Sequence, residues 1–227
     1  MVPRVKNIFR FAPAKGAEVA NVTLCGLIFE GANSTAYWHE FGATRIDSAV
    51  SAANMRGFSV RQCLFRNLGG MGLVLEPAND STVERCGFVD VGAAGLNALS
   101  ITNCLIRANV ITRTGTAYSS ACGMELNGMR YQAVSNRVSD IPYSGIMVGG
   151  SDFLVEGNTI VRPMRVQSDG AAIYGSYGNA VLRNNTIREV RPGIHGGNWI
   201  CGIYADEGAH YSVFEGNRII NAPGRSR

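Results

Sequence analysis

Four acidic side chains stand in glycine-bounded stretches: Asp169 between Ser168 and Gly170, Asp206 and Glu207 between Ala205 and Gly208, and Glu125 within Gly123 to Leu126. Two carboxyl groups flanking one bond can divide acid–base work, one giving a proton while the other acts as nucleophile or base. That is the chemistry that breaks glycosidic bonds. Asp169, Asp206 and Glu207 are the catalytic candidates, because acids are otherwise sparse on the outward positions of these stretches; Glu125 is an outsider with a substrate-binding role. Aspartate beside glycine also commonly satisfies the backbone N–H groups of a turn, so each position has an ordinary structural use as well.

Other side chains could line the same surface. Tyr174 and Tyr204 occupy equivalent positions and would stand about 4.8 Å apart on neighbouring parallel strands, as a platform for a sugar ring or as a plain aromatic stack. Trp199 and Trp38 fall in the two longest loops. His210 follows Asp206 closely enough to tune a carboxylate or donate to substrate, whereas His39 and His195 have nothing nearby in sequence to sharpen them. Arg162 and Arg165 could meet a uronate carboxylate. No Cys/His spacing resembles a metal site. The expectation is no cofactor, with calcium left open.

These residues need elements to hold them, and the chain supplies a repeat. An apolar residue, two others, Cys or Asn, one more residue and a second apolar residue recur eight times: Val22-Cys25-Leu27, Val60-Cys63-Phe65, Val83-Cys86-Phe88, Ile101-Cys104-Ile106, Ala133-Asn136-Val138, Val155-Asn158-Ile160, Leu182-Asn185-Ile187 and Phe214-Asn217-Ile219. A second frame, a small residue followed by alternating apolar positions, follows most anchors, as in Gly95-Leu96-Asn97, Gly123-Met124-Glu125, Gly145-Ile146-Met147, Ala172-Ile173-Tyr174 and Gly202-Ile203-Tyr204. Period-two alternation means strands with one inward face, and a repeated unit means stacked coils. Hairpin turns of the Asn-Gly kind are mostly absent, which argues against a sandwich. The fold expected is all-β: one right-handed parallel β-helix of about eight coils, pectate-lyase-like, over residues 1–227. The anchor column would pile Cys or Asn side chains into a ladder, with thiols that are structural rather than paired.

The chain has 227 residues, 28 glycines, six cysteines and a formal net charge of +4. Its lysines and arginines are scattered, so neither nucleic acid nor a membrane surface is implied as a partner, and no apolar run is long enough to span a bilayer. No signal peptide is visible at the N-terminus. Because an open solenoid end exposes unpaired strand edges, the expectation is a fragment of a longer secreted or periplasmic protein, monomeric, with further coils or domains in the parent chain.

The segments Asp140 to Gly149 (DIPYSGIMVG), Ser168 to Tyr174 (SDGAAIY) and Gly202 to Gly208 (GIYADEG) occur in this order, with glycine-rich turns at Gly69 to Leu73 and Gly92 to Gly95. In these segments the chain resembles the group of bacterial right-handed β-helix proteins that contains glycoside hydrolase family 141. The resemblance spans nearly the whole chain and implies a glycoside hydrolase acting on a plant or microbial polysaccharide, with Asp169 and Asp206 inside the family's motifs. The chain departs from the pattern at Asn136-Arg137 and Asn185-Thr186, where histidines often follow the anchor Asn, and at Gly170-Ala171, where a second glycine is usual.

One geometric demand follows. With Ile173-Tyr174 aligned on Ile203-Tyr204, Asp169 precedes its strand and Asp206 follows the next. Seven extended residues span about 23 Å, against the roughly 5 to 9.5 Å of a glycosidase pair. Only a sharp turn at Ser168-Asp169-Gly170 would bring the two together. Two alternatives stand beside hydrolysis: a polysaccharide lyase or epimerase on the same fold, which would need a base other than the two lysines, Lys6 and Lys15, and a non-catalytic carbohydrate-binding or surface solenoid.

Overall fold

The computed structural model describes residues 5–34, 43, 46–191 and 199–222; Trp38, His39 and His195 lie outside them. The chain winds as a right-handed parallel β-helix with three sheets running along its axis. The first and widest sheet stacks Phe9–Phe11, Ser48–Ala52, Met71–Leu75, Leu96–Thr102, Met124–Met129, Ile146–Ser151, Asp169–Gly175 and Trp199–Ala205. The second runs from Thr23–Cys25 to Val213–Glu215 and the third from Ile28–Glu30 to Arg218–Ile220, each eight strands wide, so the expected eight coils are present.

Alternation in each strand points every second residue to the axis, where like side chains meet like. In the third sheet Phe29, Phe65 and Phe88 stack with ring centroids 4.7 Å apart at each step, and Ile111, Val138, Ile160 and Ile187 continue the same buried row. Tyr131 and Phe153 stack at 4.6 Å in a corner of the core. Such columns bury large apolar area and gain ring-stacking energy of about 0.5–1.5 kcal/mol per pair.

Short turns of one conformation separate the sheets. Asn67, Asp90, Arg113, Asp140, Arg162 and Glu189 all have φ between 50° and 59° and leave the third sheet at successive coils. The charges alternate along this turn row. Arg113 makes a two-pronged pair with Asp90, and Arg162 makes one with Asp140. Each left-handed residue costs some backbone energy, and the ionic rungs hold the row in register.

The strand register corrects the anchor frame at two of its eight places. Val60, Val83, Ile106, Ala133, Val155, Leu182 and Phe214 are true equivalents, with Leu24 before them. The position three residues on is therefore Leu27, Cys63, Cys86, Asn109, Asn136, Asn158, Asn185 and Asn217. Cys25 and Cys104 are not in this row: Cys25 faces solvent at the end of its strand, and Cys104 occupies the corner row that Ser81 and Tyr131 share. The frame slipped because Ile101-x-x-Cys104-x-Ile106 copies the polarity of Ile106-x-x-Asn109-x-Ile111 one strand too early.

Within the row the ladder is continuous from Asn109. Each Oδ1 accepts from the backbone N–H and the Nδ2 of the preceding coil's Asn, and each Nδ2 also reaches a main-chain carbonyl, all at 2.8–3.0 Å. Cys86 takes the next place: its backbone N–H donates to Asn109 Oδ1 and its thiol reaches the Val60 carbonyl. All six cysteines are free thiols, and burial pushes the Cys86 thiol up to about 12.

Candidate active site

The wide sheet carries one outward column in register from coil to coil: Ser51, Val74, Asn97, Glu125, Met147, Tyr174 and Tyr204. Its neighbours in each strand, such as Leu96 and Ala98, or Met124 and Leu126, point into the core. Loops close the early part of this face. Ala43, Ile46, Met71, Ala93, Ala94 and Ala121 form a second apolar cluster there, against which Val74 and Tyr118 pack. Beyond that cover, the column from Asn97 to Tyr204 is where polar and aromatic groups gather.

At the late end, three tyrosines and Asp206 form one unit. Tyr174 and Tyr204 are register partners with ring centroids 5.4 Å apart and planes tilted 36°. Tyr143 meets Tyr174 edge-on at 6.4 Å, and its ring lies against Gly170, where a Cβ would come within 2.9 Å of it. A side chain at Gly170 would displace that ring, so the glycine is required by close approach as well as by its φ of 145°.

Asp206 extends the ladder one step past its strand, its N–H donating to the Gly175 carbonyl at 2.9 Å. The Tyr174 hydroxyl donates to the Asp206 carboxylate at 2.5 Å. That bond first, then the Glu207 N–H and the Tyr204 hydroxyl, holds the Asp206 carboxyl below the usual carboxylate range. The tyrosines move the other way. Burial, reinforced by the Asp206 charge, keeps the Tyr174 hydroxyl protonated, and burial does the same for Tyr143. Asp206 is thus a fixed anion among neutral donors.

The sharp turn at Ser168 to Gly170 is not formed. Asp169 is the first residue of Asp169–Gly175 and pairs with Trp199, and the register holds unbroken to Gly175 and Ala205. Asp206 stands seven positions beyond Trp199 (206 − 199 = 7), so the two aspartates lie at opposite ends of the tyrosine cluster. The charge of each still reaches Tyr143, Tyr174 and Tyr204. Trp199, 57% exposed, stands beside Asp169 on the next coil.

Glu207 has an exposed side chain and contributes its main chain, donating to Asp206 and accepting from Ser176. His210 shares a hydrogen bond with the Gly208 carbonyl at 2.7 Å, and its ring covers Gly178; these contacts turn it to the coil below. Arg162 and Arg165 both engage Asp140. Glu125 is half-buried and accepts from Asn97 Nδ2 at 2.9 Å. Burial, then the nearby charge of Glu76, pushes its carboxyl up to about 7. Among the described residues no three acidic, histidine or cysteine side chains gather as metal ligands would.

Tyr143 and Asn97 had no place among the sequence candidates. Asn97 was visible as the third residue of the same small-apolar-polar frame that contains Glu125, Tyr174 and Tyr204. Tyr143 lies in a loop outside that frame, and only the packing of one coil on the next brings it to Tyr174.

Sequences matching right-handed β-helix regions cover residues 14–159 and 122–225. No curated protein sequence matches the chain. Among solved structures, a glycoside hydrolase superposes with a TM-score of 0.62 at 21% identity, covering 78% of this chain and 38% of that one. A mutant of the periplasmic alginate epimerase AlgG gives 0.62 at 12%, covering 94% and 55%. The A-module of the Azotobacter vinelandii mannuronan C-5 epimerase AlgE4 gives 0.50 at 13%, covering 78% and 61%. The chain therefore spans between about two fifths and three fifths of these structures' lengths, and at such identities the likeness is one of fold. With three parallel sheets, an internal asparagine ladder and a sequence match along nearly all its length, this chain belongs to the right-handed β-helix region family.

Proposed function

We propose that this protein is a carbohydrate-active β-helix whose wide-sheet face cleaves a glycan by hydrolysis, in the manner implied by its resemblance to glycoside hydrolase family 141. The observation that carries the reading is Asp206, held ionised by two tyrosine hydroxyls on an aromatic floor. A sugar ring stacked on Tyr174 and Tyr204 would put a glycosidic carbon beside that carboxylate. Asp169 begins its strand seven residues from the Asp206 position, about 23 Å of extended backbone against the roughly 5 to 9.5 Å of a glycosidase pair, so Asp206 acts with a group from another loop and not with Asp169. The solved relatives named for a glycoside hydrolase and for alginate epimerases are consistent with a polysaccharide substrate, and a polymer substrate fits work outside the cytoplasm.

Lyase or epimerase chemistry requires a base beside the sugar. The tyrosine hydroxyls here are pushed up, which makes them donors rather than bases, and Lys6 is paired with Asp47 next to Ser48–Ala52, at the opposite end of the wide sheet from Tyr174 and Tyr204. The test is a reducing-sugar assay on a panel of plant and microbial polysaccharides. Turnover by the native chain, lost by at least a hundredfold in Asp206→Asn with unchanged circular dichroism, is expected. Unsaturated product absorbing in the ultraviolet would replace hydrolysis by elimination. Binding without turnover would leave a non-catalytic solenoid.

A further inference from the structure

Glu125 plays no part in the chemistry assigned to Asp206, yet it occupies the same outward column. It stands two coils before Tyr174 with Met147 between, about 10 Å along the axis. Among the described residues no arginine or lysine pairs with it. Its one side-chain hydrogen bond comes from Asn97, which is 1% exposed. A half-buried carboxyl supported by a neutral amide, with a second carboxylate facing it, is poor stabilising design. A cation partner or an apolar residue would serve the fold better, and such groups collect at functional sites. The loop cluster over Val74 closes the face immediately before Asn97, Asn97 itself is buried, and the partly exposed Glu125 is the first polar group of the column beyond that cover.

We propose that Glu125, its carboxyl positioned by the buried Asn97 and flanked by the largely buried Met147, marks a distal sugar-binding subsite that takes an uncharged unit of a glycan running along the solenoid axis, two coils from the unit stacked on Tyr174. This rests on the glycan reading of the Asp206 face. The coil repeat is close to the length of one pyranose unit, so consecutive sugars meet consecutive members of the column. A protonated Glu125 donates to a sugar hydroxyl. Its ionised form, beside Glu76, repels a uronate and loses the donor. The titratable groups that face Glu125 are Glu76 and the Cys122 thiol; burial keeps that thiol neutral. Its column neighbours Asn97 and Met147 do not titrate.

The experiment is an array of neutral and uronate-bearing oligosaccharides, from two to six units, probed at pH about 5.5 and about 8.5 with the native chain and Glu125→Gln, choosing pH values on either side of the Glu125 midpoint. Neutral chains of four or more units should bind the native protein several-fold more weakly at the higher pH, while Glu125→Gln binds them equally at both. Disaccharides should not distinguish the two proteins. Identical pH profiles for native and variant on the long chains overturn the subsite and leave the Asp206 reading intact. Binding of no glycan by either protein at either pH overturns both. If Glu125→Gln loses its circular dichroism, the exposed Glu76→Gln serves: it should move the midpoint of the pH effect to lower pH, and an unmoved midpoint overturns the proposal.

Discussion

The hydroxyl of Tyr174 and the carboxylate of Asp206 lie 2.5 Å apart across two neighbouring coils. Tyr174 is directly opposite Tyr204 in the register, and Asp206 is two residues further on. The bond therefore runs diagonally and ties the last strand of the wide sheet to the one before it.

Tyr174→Phe removes the first cause of the lowered Asp206 value. A depressed carboxyl is ionised above its own low midpoint, so losing a donor moves that midpoint up. Carboxyl carbon NMR of labelled protein, titrated from neutral to acid, reads this directly and needs no substrate. An unmoved Asp206 resonance would mean that the Glu207 N–H and Tyr204 hold the charge alone.

Glu125 makes stability depend on pH in the opposite sense. Its folded value of about 7 lies above the unfolded 4.5, so the folded state binds the extra proton between them. Its contribution is complete below about 4.5 and is lost as pH rises through about 7, at most on the order of 2–3 kcal/mol. Depressed groups such as Asp206, Asp90 and Asp140 are already ionised in this window. Urea unfolding at pH about 5 and about 8 should show the native chain losing stability across it and Glu125→Gln losing much less.

The ladder should be costly to interrupt. Asn158 is 0% exposed and its amide serves Asn136, Asn185 and the Ala133 carbonyl. Asn158→Ala strands buried donors and acceptors on both sides and should cost about 3–5 kcal/mol by urea unfolding.

Cysteine-to-asparagine exchanges test the corrected row. In Cys86→Asn the new Oδ1 would meet the Cys63 N–H and the new Nδ2 the Val60 carbonyl and Asn109, extending the ladder; stability should be unchanged or raised by about 1 kcal/mol. Cys104→Asn puts the same amide in the corner row of Ser81 and Tyr131, where no ladder waits, and should cost about 2 kcal/mol or more. Equal effects on the melting temperature would contradict the assignment.

The sequence alone determined the solenoid. Period-two alternation, glycine spacing and the recurrence of Asn136, Asn158, Asn185 and Asn217 are local patterns, and each coil must bury its inward residues against copies of itself. The same periodicity put Glu125, Tyr174 and Tyr204 in one frame position, so their shared column was legible. Only the tertiary structure decided which of two similar frames was in register at Cys104 and Asn109, because polarity repeats in both and strand pairing selects one. It also decided that Asp169 begins a strand instead of folding back, that Tyr143 enters from a loop, and that Glu76 approaches Glu125. These depend on how one coil packs on the next, at sequence separations that local patterning does not encode.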